Sequence, residues 1–376
     1  MSAFDDYVAS FGDEPGYLNW AAFGPLSPAV RAETALDADL LGGMRPSAHA
    51  LVGERGVQAR EAVADLLGAR TDEVTLQPSS THGLMQALFG LSGTVIAATG
   101  EFPSISLTLD RAAHASRGAL VARWVTPDEG QVTPDAVVAA LDDDVTALAV
   151  SHVDFRTGYR ADLGALRDVL GPDRLLIVDA VQSFGVVDDD YAAADVVVGH
   201  GYKWLRAGRG TGFARFSDRA RERIVPVLSG ITGTAADGVY ADERPAPASD
   251  ARAFTVSAPD PIAAGRLEVA VREVQDAGVA AIQERIADRV GEIIRIADRH
   301  GIRVASPRGS AWRAGIVSLL PVEPGHLAAE LVNAGVAVTA RGHAVRVSAH
   351  AGTDDETLRM LDDAIAAFRN ETFTIG

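Results

Sequence analysis

Two hydrophobic periods alternate along the chain. Short apolar runs recur at 94–98, 120–125, 147–153, 175–178 and 195–199, each suited to a strand buried on both faces. Before and between them, residues 28–41, 54–67, 103–116, 134–141 and 162–170 carry apolar positions at helical spacing. A strand at 73–77 leads through Pro78-Ser79-Ser80-Thr81-His82-Gly83 into a helix running to Leu91. Strand–helix alternation of this kind predicts an α/β fold: a mostly parallel sheet sandwiched by helices, with right-handed crossovers. Ahead of it, residues 17–28 read as an extended lead-in and turn. Ser27 there serves as helix cap and Pro28 as first helical residue. Residues 229–258 lose all periodicity and are rich in Gly, Ala, Pro and Asp, as linkers are. Beyond them the pattern predicts two long helices over 259–300, parted near Gly278. Strands follow at 302–305, 315–320, 336–339 and 345–348, with a helix at 326–333. Thr353-Asp354-Asp355-Glu356 reads as a capping box opening the last helix. The expected division is a large domain over 15–255 and a smaller α+β C-terminal domain, formed by 1–14 with 256–376.

Composition narrows the function. With 376 residues and 47% hydrophobic content, there is ample material for a large core. A formal net charge of -17 speaks against nucleic acid or anionic membrane as partner. No apolar run is long enough to span a bilayer, and the acidic opening MSAFDDYVASFGDEPG lacks the apolar core of a secretory leader, so a cytoplasmic location is expected. The absence of cysteine excludes disulfides, thiolate metal sites and a cysteine nucleophile, and no metal centre is expected.

One side chain stands out against this background. Of the 34 lysines and arginines, Lys203 alone is lysine. Arginine can replace lysine in solubility and salt bridging, but it does not lose its proton and cannot become a nucleophilic amine. The chemistry that requires lysine is Schiff-base formation. A lysine kept by drift belongs in a charged surface patch; Lys203 follows the apolar run DVVVGHGY and precedes Trp204-Leu205. Asp179 closes the run Leu175-Leu176-Ile177-Val178, and an acid at the carboxyl end of a central strand points into the crevice where open α/β sheets bind ligands. Taken singly, such an acid commonly caps a loop. A lone buried carboxylate should otherwise face a cation, and in pyridoxal phosphate (PLP) enzymes that cation is the protonated ring nitrogen. Gln182, three residues on, is a candidate donor to the cofactor's ring oxygen.

The order of Asp179, Gln182, Tyr202-Lys203 and the run GRGTGF resembles the fold-type I PLP enzymes. More narrowly it is similar to the class V aminotransferase superfamily, which also holds cysteine desulfurases, kynureninases and C–S lyases. The resemblance implies PLP held at Lys203 as an internal aldimine, with Asp179 against the ring nitrogen. It implies a phosphate cup at Ser80, Thr81 and His82, where a helix N-terminus is a ready anion site. Phe102, in a string EFPS similar to the FPS segment of kynureninase-like enzymes, is implied as a ring-stacking wall. Asp154 falls near the ring oxygen, where relatives usually carry Asn; this implies either pairing with Arg156 or Arg160, or a substrate other than a simple α-amino acid. His200 and Tyr202 fall where relatives place phosphate-binding Ser and His. Thr234, with Thr232, matches a Gly-Thr element that reaches a neighbour's phosphate in a homodimer with shared active sites. Asn19 is the implied substrate contact, and Arg346, in AVRVSAH, matches the arginine that grips the substrate carboxylate. The expected partner is a small amino-acid substrate and the expected activity an aminotransferase. The alternatives are a C–S/β-lyase or kynureninase-like hydrolase, and a non-catalytic PLP-binding homologue. Desulfuration by the persulfide route is excluded, because no thiol exists to accept sulfur.

Overall fold

The computed structural model describes residues 2–12, 14–43, 45–236 and 244–374; positions 237–243 of the linker-like stretch lie outside the described residues. Seven strands form the main sheet: β1 (Val74–Gln77), β2 (Gly93–Ala98), β3 (Leu120–Val125), β4 (Val145–Ser151), β5 (Leu175–Asp179), β6 (Val196–His200) and β7 (Gly212–Phe216). Their spatial order is β1-β7-β6-β5-β4-β2-β3. Neighbours from β6 to β3 are parallel, while β7 runs antiparallel to both β6 and β1.

The alternation of side chains along a strand builds a core on each face. On one face Leu175, Ile177, Val196, Val198, Ala214 and Phe216 pack with Leu84, Leu88, Ile105 and Leu109 from the helices Ser80–Phe89 and Pro103–Ala115. On the other, Leu176, Val178, Val197 and Phe213 pack with Leu166 and Leu170 of the helix Leu163–Leu170 and with Leu267 and Val271 of the helix Pro261–Ala277. A strand apolar on both sides needs this double cover, which explains the continuous apolar runs.

The glycine-rich run lets the chain reverse between β6 and β7. Gly208 and Gly210 take positive φ values of 75° and 86°, conformations that cost a glycine little. Gly212 opposes Gln77 so closely that a Cβ would sit 2.6 Å from Ser79 Cα. No strand was expected over 212–216, because glycines masked the apolar alternation.

A second, antiparallel sheet contains β8 (Arg303–Val304), β9 (Ile316–Leu320), β10 (Thr339–Arg341) and β11 (Ala344–Ser348) in the order β10-β11-β9-β8. The helices Val279–Arg299, Pro324–Asn333 and Asp355–Thr374 pack with it. The strand expected at 336–339 begins only at Thr339. Its first residues spend their hydrogen bonds elsewhere: Ala337 N donates to Gly16 O at 2.8 Å, and Leu18 N donates to Ala337 O at 3.1 Å. The last helix starts at Asp355, and its cap is Asp354, whose Oδ1 accepts from Thr357 N at 2.8 Å. Thr353, expected as the cap, instead accepts from His350 N at 2.9 Å.

Residues near both ends of the chain hold the turn after β6. The helix Ala3–Ala9, closed by a Ser2–Asp5 capping box, leads to Ser10, which accepts from Arg206 through both its carbonyl and its hydroxyl. Gly24 N donates to Tyr202 O at 2.9 Å. His350 Nε2 lies 2.8 Å from Trp204 O.

Candidate active site

The carboxyl ends of the parallel strands set the site. Ser151 on β4 is in register with Asp179 on β5, and β6 ends at His200, so three polar side chains follow three apolar runs at one sheet edge. They open onto a cleft of about 250 Å³, room for a small molecule. Lys203, three residues beyond β6, lines the same cleft.

Lys203 is only 5% exposed and Asp179 only 4%. Burial pushes the Lys203 ammonium well below its ordinary value; Asp179 opposes this, while Arg346, Arg341 and Arg209 push it further down. Burial pushes Asp179 up, against the pull of Val181 N, which donates to Oδ1 at 2.9 Å, and of Lys203. The Lys203 amine lies 5.6 Å from the ring centroids of both Phe102 and Tyr202. Tyr202 stacks on His200 at 3.7 Å between centroids, with the Arg209 guanidinium 4.6 Å from its own centroid. His200 is held neutral by burial, and its buried Nδ1 has no hydrogen-bond partner.

Two helix N-termini meet at the cleft. Ser79 caps the helix Ser80–Phe89, and Thr81 Oγ1 lies 2.8 Å from Ser104 Oγ in the first turn of the helix Pro103–Ala115. Ser79, Ser80, Thr81 and Ser104 all line the cleft, with Arg209 also on its wall. Free backbone N–H groups, hydroxyls and a guanidinium suit a phosphate. The cleft also offers a buried amine, a buried acid, an aromatic wall at Phe102 and an orphaned ring nitrogen at His200. This donor set fits pyridoxal phosphate.

Ser80, Thr81, Phe102, Asp179, Gln182, His200, Tyr202 and Lys203 are thus brought together. Other residues singled out in the sequence lie elsewhere. His82 is exposed on the outer side of the helix start, with Nδ1 2.9 Å from Ser79 Oγ. Asp154 is spent on its own turn: its carboxylate accepts from Arg156 N, Thr157 N and the Arg156 guanidinium at 2.7–3.1 Å. Arg160 pairs with Asp189 instead. Thr234 bridges to Pro247, and Thr232 lines a separate groove beside Arg60. Asn19 Oδ1 accepts from Thr339 Oγ1 at 2.7 Å. Gln182 lines the cleft, but Nε2 donates to Ala21 O at 3.1 Å and Oε1 accepts from Trp204 Nε1 at 2.8 Å. Arg346 is buried behind Phe155, donating from Nη1 to its carbonyl at 2.8 Å. Sequence reasoning missed Ser151, Phe155, Arg209 and Arg341. Ser151 carried a signal, a polar residue ending an apolar run beside Asp179. The arginines carried none in a chain so rich in them.

Among the described residues, no helix is long and apolar enough to cross a membrane, and no group of His, Cys, Asp or Glu is arranged to hold a metal ion. A family model for aminotransferase class-V matches residues 44–360. A kynureninase of Deinococcus radiodurans is 28% identical over 288 residues, covering 73% of this chain and 68% of that protein. An uncharacterized aminotransferase of Bacillus subtilis, YcbU, is 24% identical over 318 residues, covering 82% of each chain. Among solved structures, a cysteine desulfurase from Thermococcus onnurineus NA1 matches with a TM-score of 0.87 at 18% identity, over 99% of both chains. The cystine C–S lyase C-DES, solved with cysteine persulfide, matches with a TM-score of 0.84 at 18% identity, over 95% of this chain and 98% of that one. Sheet order, cleft chemistry and these matches agree: the chain belongs to the class-V aminotransferase family of pyridoxal phosphate enzymes.

Proposed function

We propose that this protein is an aminotransferase that acts at the α-carbon of a small amino acid, with Lys203 as its covalent and proton-moving residue. The observation that carries the reading is the sole lysine of the chain, buried at the carboxyl edge of the sheet with Asp179 in the same cleft. When bound, pyridoxal phosphate supplies an aldehyde and an electron-poor ring. Burial and three guanidiniums favour the unprotonated amine of Lys203, the form that a nucleophile and a general base both need. Asp179 supplies a buried negative charge for a ring nitrogen. Phe102 excludes water from one side of the amine and offers a stacking face. Ser80, Thr81 and Arg209 orient the phosphate. Arg346 binds the substrate carboxylate through its two buried, unpartnered nitrogens, Nε and Nη2.

The likeness to a kynureninase favours a second reading, a lyase or hydrolase that breaks a bond at Cβ. Both readings share Lys203 and Asp179. A homodimer belongs to the same proposal: Val225, Val227, Ile231 and Val256 expose apolar side chains around the stretch expected to meet a second copy.

Borohydride reduction followed by peptide mass spectrometry tests the assignment. The cofactor mass should be found on Lys203 and be absent from Lys203→Ala. Asp179→Asn should retain it but slow turnover by about 100-fold or more. A covalent adduct on the Lys203→Ala protein would refute the reading. Screening amino acids with and without keto acids then separates the branches: an amine-swap product without ammonia selects transamination, ammonia or sulfide selects the lyase, and alanine formed without ammonia or any keto acid selects the hydrolase.

A further inference from the structure

We infer that the substrate carries a second anionic group on its side chain, and that Arg341 binds it. This rests on reading the cleft as an amino-acid site. The β10–β11 register opposes Thr339 to Arg346 and Arg341 to Ala344. Directly opposed residues share a face, and side chains two apart on a strand return to it. Arg341 and Arg346 therefore stand on one face of the hairpin. Phe155 links them to the cleft that it lines. Its carbonyl accepts from Arg346 Nη1, and its ring centroid is 5.3 Å from the Arg341 guanidinium. The inner arginine is buried and the outer one exposed.

Charge balance distinguishes these two from their neighbours. Arg156 is matched by Asp154, and Arg160 by Asp189. Among the described residues, Arg341 makes no salt bridge, and Arg346 keeps two buried nitrogens without a partner. Burial pushes the Arg346 guanidinium down and its neighbour Arg341 adds to the fall, against the weaker pull of Asp154; after burial, both arginines push Lys203 the same way. An α-carboxylate can take the buried fork, which leaves the outer charge unmatched. A short side chain ending in a carboxylate, sulfinate or similar anion matches both. In a chain with a formal net charge of -17, this local excess of guanidiniums also draws anions to the cleft mouth.

The test uses the purified holoenzyme and two probes of equal carbon number, succinate and butyrate, titrated calorimetrically at low salt. Neither has an amine, so neither depends on the covalent chemistry of Lys203. Succinate is expected to bind about tenfold tighter than butyrate or better. Arg341→Gln should bring succinate to the affinity of butyrate, whereas Arg346→Gln should weaken both. Equal binding of the two probes, no measurable binding of succinate, or an equal loss of both in Arg341→Gln overturns the inference. A preference for succinate in a protein whose Lys203 carries no cofactor would sink the enzymatic reading and leave only a site for dianions at Arg341 and Arg346. A Lys203 adduct without discrimination would do the reverse.

Discussion

Ser151 Oγ donates to Glu101 Oε2 at 2.5 Å, and Ser151 N donates to Oε1 of the same carboxyl at 3.0 Å. Glu101 thus grips the end of β4 where it is in register with Asp179. Burial pushes its carboxyl up to about 7, against the Ser151 hydrogen bonds, and Asp179 and Asp154 add to the rise. The folded state therefore holds a proton that the unfolded chain releases at lower pH. The stabilisation is fully present below the ordinary carboxyl range and is lost as pH rises through about 7. Melting temperature followed from about pH 5 to pH 8 should fall more steeply for the native protein than for Glu101→Gln. Parallel curves would show that Glu101 is ionised throughout.

Gly24 touches the turn that carries the lysine. A Cβ on it would sit 2.0 Å from Lys203 O, with the backbone of one segment against that of the other. Gly24→Ala must therefore push the lead-in segment off the Lys203 turn, at a cost of about 1–3 kcal/mol. Gly12→Ala is the control, because a Cβ there meets nothing within 4 Å. Urea unfolding should separate the two variants, and cofactor occupancy should fall in Gly24→Ala alone.

Arg215 and Glu73 join β7 to the outer end of β1. The guanidinium donates to Glu73 Oε2 at 2.7 Å and to the carbonyls of Tyr191 and Ala194 at 3.3 and 2.9 Å, with little exposure of either side chain. Arg215→Met removes the cation and leaves a buried acid whose remaining salt bridge is to the more exposed Arg70. Denaturant titration should show a loss of about 3 kcal/mol, the scale for breaking a buried pair from one side.

Much of the sheet was legible because a strand covered on both faces must be apolar at every position, as 175–178 and 196–198 are. The lysine and its acid were legible because one residue type was used once and another closed a buried strand. What escaped depends on residues far apart in the chain. The late start of β10 follows from Ala337 pairing with Gly16 and Leu18, which no local pattern records. Nearer in the chain, the pairing of Asp154 with Arg156 was legible, but not the backbone N–H bonds from Arg156 and Thr157 that complete its turn, since every sequence possesses such groups. Arg341 could not be told from other surface arginines until the hairpin register set it on the Arg346 face.

The anchoring of Arg206 to Ser10, of Tyr202 to Gly24 and of Trp204 to His350 has a bearing on synthesis. As the ribosome extrudes the middle of this protein, the lysine emerges long before one of its braces has been translated. The Lys203 amine therefore acquires its final surroundings only after His350 has emerged. Fragments ending before His350 would carry Lys203 without that brace.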